Sequence, residues 1–519
     1  AFTPFGRDYQ PGYARRYSLG KFQDGLAVKM LLTIDIGTSS TKASLFSMDG
    51  KLLHYHQQAY RVRFPKIGWA EQDPSIWWQA VCQCSARIIK EAGAPTITAV
   101  TVSGQTPSCV PVDETGKALR PAILWLDRRG GQQVSWLKEN LGLEKAVART
   151  GNTIDSYYGG VKWLWFKQEQ PELYRRTWKI FQASSYIIFR LTNQAVLDYS
   201  QAGLCSPCFN LFNQEWDSEI LQLMGIELAK LPNLGPANQI AGMVTDQAAD
   251  ESGIPVGTPV TMGGGDFAFS CLGAGVYGTG TAVMMLGTAG NLLIPDPASI
   301  DPRLINTIHV TGDKLSLGGV MAGAAVTWFQ DMLRWEGEDF YLRMESEANE
   351  TPPGSDELVF LPYLMGERTP IWDDQARGVF FGLSNIHQRG HLYRAVLEGI
   401  AYAFRAMLDI VTESGTKIQN VVLTDGGAKS KLWRQIFADV LGRPISWQAR
   451  SGGTAMGAAI VTAMACGELS GYDLLTEWFP LAVEINPDPK NTAVYDRNFQ
   501  VFQSLYPRVK DLYKRSGPN

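Results

Sequence analysis

The chain has 519 residues, more than one ordinary core accommodates, so two large domains are expected. Apolar residues make up 45% and charged residues 19%, a globular composition, and a net charge of −4 with no basic block argues against a nucleic-acid partner. No apolar run is long enough to span a membrane, and seven cysteines scattered over so long a chain point to thiols in a reducing cytoplasm rather than to a disulfide framework.

Residues 1–29 carry Arg, Tyr and Gly without an apolar pattern or a signal-peptide run, and read as a tag or upstream extension outside the fold. Met30–Ile36 is a near-continuous apolar strand ending in Asp35-Ile36-Gly37-Thr38-Ser39-Ser40-Thr41-Lys42. A second strand, Lys42–Ser47, follows at once, and Met48-Asp49-Gly50 turns into a third, Lys51–Tyr60. Free backbone N–H groups at such a hydroxyl-rich hairpin tip form an anion nest, so with Asp35 beside it the tip is a candidate for phosphate and metal. An ordinary hairpin loop is the alternative, because Gly-Thr-Ser is common turn chemistry. No P-loop motif occurs. A helix is expected over Ser75–Glu91 and a strand over Ile97–Ser103, leading to Gly104-Gln105-Thr106-Pro107. Pro121–Leu126 leads to Asp127-Arg128-Arg129, and Lys162-Trp163-Leu164-Trp165 opens a helix read mostly as core. Strands alternating with helices indicate an α/β fold. Cys205 and Cys208 form a lone C-x-x-C, read as buried thiols because a structural zinc site needs four ligands.

Near the middle, the apolar run Thr258–Met262 ends in three glycines and a single acid, Asp266. Glycines let backbone approach a ligand closely, and one carboxylate at the edge of such a bend suits a general base. It could equally start a helix over FAFSCL. Gly273, Gly275 and Gly278 spell G-x-G-x-x-G, but the helix comes before and the strand Thr281–Leu286 after, so a dinucleotide site is rejected. That strand ends in Gly287-Thr288-Ala289-Gly290, a faint duplicate of the first Gly-Thr hairpin. Leu317–Val320 leads through Gly323 to a helix over Ala325–Trp335, and Ala395–Ile410 is a long amphipathic helix. Strand Val421–Leu423, then Thr424-Asp425-Gly426-Gly427, then a helix from Ser430 is a geometry that cradles a nucleotide phosphate or ribose.

These segments together resemble the FGGY carbohydrate kinases, and among them the xylulose kinases. The most specific is Gly378-Val379-Phe380-Phe381-Gly382-Leu383, then seven residues, then His391-Leu392-Tyr393-Arg394-Ala395-Val396-Leu397-Glu398, which looks like the family's second signature without a mismatch. Lys162–Phe166 looks like the first signature, with Gly159 where the family prefers Pro, Ser or Thr. GWAEQDP, GERTPIWD and DGGAKSKLWRQIFADVLGRPI also look like family segments.

The resemblance implies an actin-like ATPase fold with two duplicated ribonuclease-H-like domains, an N-terminal one over 30–275 and a C-terminal one over 276–510, and a cleft between them. It implies transfer of the ATP γ-phosphoryl group to a hydroxyl of a small sugar or polyol, a ketopentose such as D-xylulose foremost. Asp266 matches the general base and Asp35 the carboxylate that positions Mg2+, with Asp266 also near the metal. Gly37, Thr38, Ser39 and Lys42 match one phosphate loop, and Gly287 and Thr288 the other. Gly323, Gly426, Gly427 and Ser430 match the adenosine side. Gln105, Thr106, Trp125, Asp127, Tyr157 and Phe267 match sugar-pocket positions. Thr106-Pro107 replaces the Met-His pair of xylulose kinases and the Arg-Glu pair of glycerol kinases, and Phe267 replaces a polar amide, which puts the sugar in doubt. The partners implied are the sugar and ATP, with no nucleic acid and no membrane, and a homodimer left open. An actin- or chaperone-like ATPase without a small-molecule acceptor, or an inactive sugar-binding relative, would use the same hairpins.

Overall fold

The computed structural model describes residues 29–335, 337, 339–448, 452–471, 478–479 and 482–513, so that residues 1–28 of the expected tag or extension lie outside it. Strands β1 (Lys29–Ile36), β2 (Ser40–Ser47) and β3 (Leu52–Ala59) form an antiparallel meander. Helix α1 (Pro74–Glu91) starts at Asp73, whose carboxylate accepts from Ser75 N, and buries Trp77, Val81 and Ile88 against the sheet. Strand β4 (Thr96–Gly104) runs parallel to β1, and its near-continuous burial from Ile97 on is that of a strand covered on both faces. After α2 (Gly159–Glu169), strands β5 (Ile240–Met243), β6 (Pro259–Thr261) and β7 (Gly264–Gly265) complete a sheet of order β5-β6-β4-β1-β2-β3, with β7 beside β4.

Helix α3 (Asp266–Gly273) leads to the second half: β8 (Thr281–Leu286), β9 (Ala289–Pro295), β10 (Ile305–Ile308) and β11 (Lys314–Met321), then α4 (Gly323–Met332) and α5 (Phe340–Glu350). Helix α6 (Arg389–Glu413), β12 (Asn420–Thr424), α7 (Lys431–Leu441), β13 (Ile445–Trp447), α8 (Gly453–Ala465), β14 (Val483–Ile485) and α9 (Pro489–Tyr513) follow. The second sheet has the order β10-β11-β9-β8-β12-β13-β14. Both sheets repeat one plan: a three-strand antiparallel meander, two parallel strands added to its first strand, and an antiparallel edge. Each sheet adds one strand to this plan, β7 beside β4 in the first and β10 beside β11 in the second. This is the duplicated actin-like architecture, and it puts the hairpins β1–β2 and β8–β9 at equivalent places in the two halves. Helix α3 precedes β8, the reverse of the dinucleotide-binding order.

Between the sheets, α3 and α8 pack backbone to backbone. A Cβ on Gly273 would stand 1.9 Å from Gly453 O, and one on Gly457 would stand 1.9 Å from Phe269 O. Ser270 Oγ and Thr454 Oγ1 bond at 2.7 Å, and Thr462 Oγ1 donates to Thr101 Oγ1 at 2.8 Å, tying α8 to the first sheet. Gly457→Ala should therefore force the two helices apart; overpacking costs typically ~1–3 kcal/mol, read as a lower denaturation midpoint. An unchanged midpoint would show that the helices can separate freely.

The second signature has a structural use. Arg394 and Glu398 form a buried pair at 2.8 Å, and Glu398 accepts from Gly354 N at 3.0 Å and Ser355 Oγ at 2.9 Å. These bonds hold a run of left-handed backbone, Gly354 to Glu357, against α6. Among the described residues no helix is long and apolar enough to cross a membrane.

Candidate active site

The glycine triplet explains where Asp266 stands. Gly263 has φ +70°, and a Cβ there would lie 2.2 Å from Val102 O. Gly264 and Gly265 then pair with Ser103 and Gly104 at the end of β4, which itself pairs Asp35 with Ser103 and Ile36 with Gly104. Asp35 and Asp266 thus emerge on either side of β4, at the carboxyl ends of parallel strands, where α/β sheets bind ligands. Asp266 is the first residue of α3; Gly265 takes the cap position, and Phe267 N donates to Asp266 Oδ1 at 2.8 Å. Burial, and then the neighbouring Asp35 charge, push the Asp266 carboxyl up to about 7.

The first hairpin tip is held from behind. Tyr60 OH donates to Gly37 O at 2.8 Å, Gln72 Nε2 to Thr38 O at 2.7 Å, and Trp125 Nε1 to Thr38 Oγ1 at 3.0 Å. Gly37 N is satisfied by Ser40 O, whereas the amides of Thr38 and Ser39 make no hydrogen bond among the described residues. Lys42 Nζ lies 3.1 Å from Asp35 Oδ2, and Ser103 Oγ donates to Asp35 Oδ1 at 2.8 Å.

At the second hairpin, Gly287 O and Thr288 O each accept at 2.9 Å from the first amides of α4, Gly323 N and Ala324 N. A Cβ on Gly323 would stand 2.7 Å from Gly287 O, so that glycine docks the helix on the hairpin. The Gly287 and Thr288 amides are left unbonded among the described residues. Beside them Asp425 has φ +72°, and its Oδ2 is 3.3 Å from where a Gly287 Cβ would be. Burial raises the Asp425 carboxyl to about 6, and the charge of Lys42, from the other half, lowers it. The two hairpins therefore face one another across a site that holds Asp35, Lys42, Asp266 and Asp425. Gly426 has open space around it, while Gly427 is wedged against Trp433 and Leu286.

An aromatic wall adjoins Asp266. Tyr157, Trp125, Phe267 and Trp372 belong to one cluster with the buried face of α3. Lys162, buried, donates to the carbonyls of Ser156 and Tyr157 and so holds the Tyr157 loop from below. Arg368, from the second half, lies over the rings of Tyr157 at 4.9 Å and Trp125 at 5.5 Å.

Four of the expected site residues are held by partners within this packing. Asp127 does not face the pocket: its carboxylate is buried and accepts from Ala70 N at 2.6 Å and from Arg129 Nε at 2.8 Å and Nη2 at 2.6 Å. Arg129 is in turn stacked on Trp69 and Trp165, so Asp127 shapes the wall from behind. Thr106 turns its hydroxyl inward, 3.4 Å from Gln182 Oε1. Ser430 is the cap of α7, accepting from Trp433 N at 3.0 Å and donating to Glu345 Oε1 at 2.9 Å. Gly323 serves the hairpin as above. Gln105 is divided: its Nε2 donates to Gly37 O at 3.3 Å and Gln72 Oε1 at 3.1 Å, while its buried Oε1 has no partner among the described residues.

Arg368, Asp425, Gln72 and Glu345 were missed from the sequence. Asp425 carried a signal, an acid directly before two glycines in a strand-to-helix turn. Arg368 lay in the family-like segment GERTPIWD, but nothing local gave its place, because its neighbours lie in the other half of the chain.

The carboxyl of Asp266 has a direct consequence for pH dependence. In the role of base Asp266 must be ionised, and its carboxyl is raised to about 7, so kcat/KM should then fall below pH 7 by about tenfold per unit. A flat profile from pH 5 to 8 would remove Asp266 from that role.

The chain matches the models for the N-terminal domain of the FGGY family of carbohydrate kinases over residues 30–273 and for its C-terminal domain over 273–466. It is 30% identical to the xylulose kinase of Escherichia coli (strain K12), over 93% of this chain and 100% of that one. It is also 30% identical to the gluconokinase of Bacillus subtilis (strain 168), over 93% and 96%. The crystal structure of xylulose kinase from Rhodospirillum rubrum superposes with a TM-score of 0.88 at 32% identity, covering 93% of this chain and 100% of that one.

Proposed function

Because the chain belongs to the FGGY family of carbohydrate kinases, we propose that it moves the γ-phosphoryl group of ATP to a hydroxyl of a short ketose, D-xylulose foremost. The observation that carries this reading is the placing of Asp266 beside Asp35, between two facing Gly-Thr hairpins and next to the Trp125–Tyr157 wall. The xylulose kinases among the relatives support the choice of sugar. A second reading, a sugar acid such as gluconate, draws on the equal identity to the gluconokinase.

In this mechanism the acceptor lies against Trp125, Tyr157 and Phe267, with its reacting hydroxyl at Asp266. Asp266 takes the hydroxyl proton as the phosphoryl group transfers, which a sugar hydroxyl, a poor nucleophile, requires. The free amides of Thr38, Ser39, Gly287 and Thr288 hold the phosphates from both sides, with Lys42 between them. Gly426 and Gly427 border the adenosine. Residues 30–275 supply the sugar pocket and the base, and 276–510 the nucleotide side.

Mg2+ would be held by Asp35, partly through water, with Asp266 nearby. Among the described residues no three Cys, His, Asp or Glu side chains could hold a metal by themselves, which suits a hard cation that keeps waters and phosphate oxygens as ligands. When bound it neutralises charge on the transferring group. A cytoplasmic location accords with the cysteines, all free among the described residues.

ADP release across D-xylulose, xylitol, D-gluconate and glycerol tests the reading. The highest kcat/KM is expected with D-xylulose and the lowest with glycerol, and glycerol in first place would refute it. Phe267→Asn should change the ranking, because a buried hydrogen-bonding group discriminates where an apolar wall does not.

A further inference from the structure

We propose that Arg368 is the residue that selects the acceptor, donating to an electron-rich oxygen, carbonyl or carboxylate, from the C-terminal half of the chain. The inference rests on the sugar-kinase reading and deepens it. The backbone of Arg368 is fixed on both sides. Thr369 Oγ1 accepts from Gly319 N at 2.7 Å, and Arg368 N donates to Glu367 Oε1 at 2.9 Å. Trp372 closes the loop by donating its indole N–H to Arg303 O at 3.0 Å and stacking on Tyr158 at 6.0 Å. A rigid loop of the second half thus presents one side chain to a wall made by the first.

The charge of that side chain is unmatched. Arg128 pairs with Asp155 at 2.7 Å, Arg129 with Asp127 at 2.6 Å and Glu71 at 2.8 Å, and Arg120 with Glu71. Arg368 makes no ion pair among the described residues; it lies over the faces of Tyr157 and Trp125 and shares a side-chain hydrogen bond with Tyr157. The acid that precedes it, Glu367, is pushed up to about 8 by burial and so is largely neutral at pH 7. A guanidinium carries five donors and no acceptor, so the bond to Tyr157 leaves donors over on its edge while its plane stacks on the aromatic rings. What satisfies that edge is an oxygen rich in lone-pair density. A keto or carboxylate oxygen does this well, and the hydroxyl of the reduced polyol does it poorly.

The test compares wild type, R368A and R368K on D-xylulose, D-gluconate and xylitol, with the KM for ATP measured throughout. Wild type should prefer D-xylulose or D-gluconate to xylitol, and which of the two leads tells carbonyl from carboxylate. R368A should raise the KM for that leading acceptor by ~10–100-fold, the cost of one hydrogen bond to a charged group. Its KM for ATP and its activity on xylitol should change far less, so the preference collapses. R368K, which keeps the charge and loses the fork, should fall between, and it carries the test if R368A does not fold. Equal losses on all three acceptors, or an equal rise in the KM for ATP, would make Arg368 a purely structural residue and overturn the proposal. A wild type that turns over none of the three would sink the choice of acceptor and this inference together, whereas an unchanged preference in R368A sinks this inference alone.

Discussion

Asp266→Asn should abolish sugar phosphorylation while leaving the fold and ATP binding in place. Loss of a general base typically costs ~10²–10⁴-fold in turnover. The amide keeps the shape and can still accept from Phe267 N. Stability should move the opposite way to activity. The carboxyl is raised in the folded chain from its ordinary 3.8 to about 7, so ionisation is harder folded than unfolded. Its contribution to stability therefore falls as the pH rises from about 4 through 7, and a neutral amide avoids the loss. At pH 8 the variant should melt at or above the wild-type temperature, and at pH 4 the two should converge. Near-native turnover, or a lower melting temperature at pH 8, contradicts the assignment.

Asp35→Ala should lower turnover on the order of 10²–10³-fold, the usual cost of removing one preorganised electrostatic contact at a reacting centre. Two further readouts separate this from general damage. The Mg2+ concentration for half-maximal rate should rise, while the KM for the sugar, whose wall is built from Trp125 and Tyr157, should hold. The acid limb of the kcat/KM profile should also move to lower pH, because the Asp35 charge is one of the causes that raise Asp266. The loss of Asp35 leaves Lys42 free to pair with Asp266, which acts in the same direction. An unchanged Mg2+ curve together with an unmoved limb would return Asp35 to a turn-forming role.

What the sequence determined by itself was local or repeated. The apolar runs Met30–Ile36 and Thr281–Leu286 stand as strands β1 and β8 because a run buried on both faces has no other low-energy place. The two Gly-Thr hairpins were legible as a pair, and the duplicated sheets follow from them. Asp266 was legible because three glycines before a lone acid are costly to keep without a close approach of backbone, here to Val102 O. What only the tertiary structure decided is which way polar side chains turn. Asp127 and Thr106 sit at family sugar positions yet face inward, since Arg129, held between Trp69 and Trp165, and Gln182 reach them first. Arg368 turns outward onto the first half's aromatics because its loop is fixed to Gly319 and the nearby acids are already paired or buried. A chain read in order records each group's hydrogen-bonding capacity; which partner uses that capacity is set by contacts between residues far apart in the chain.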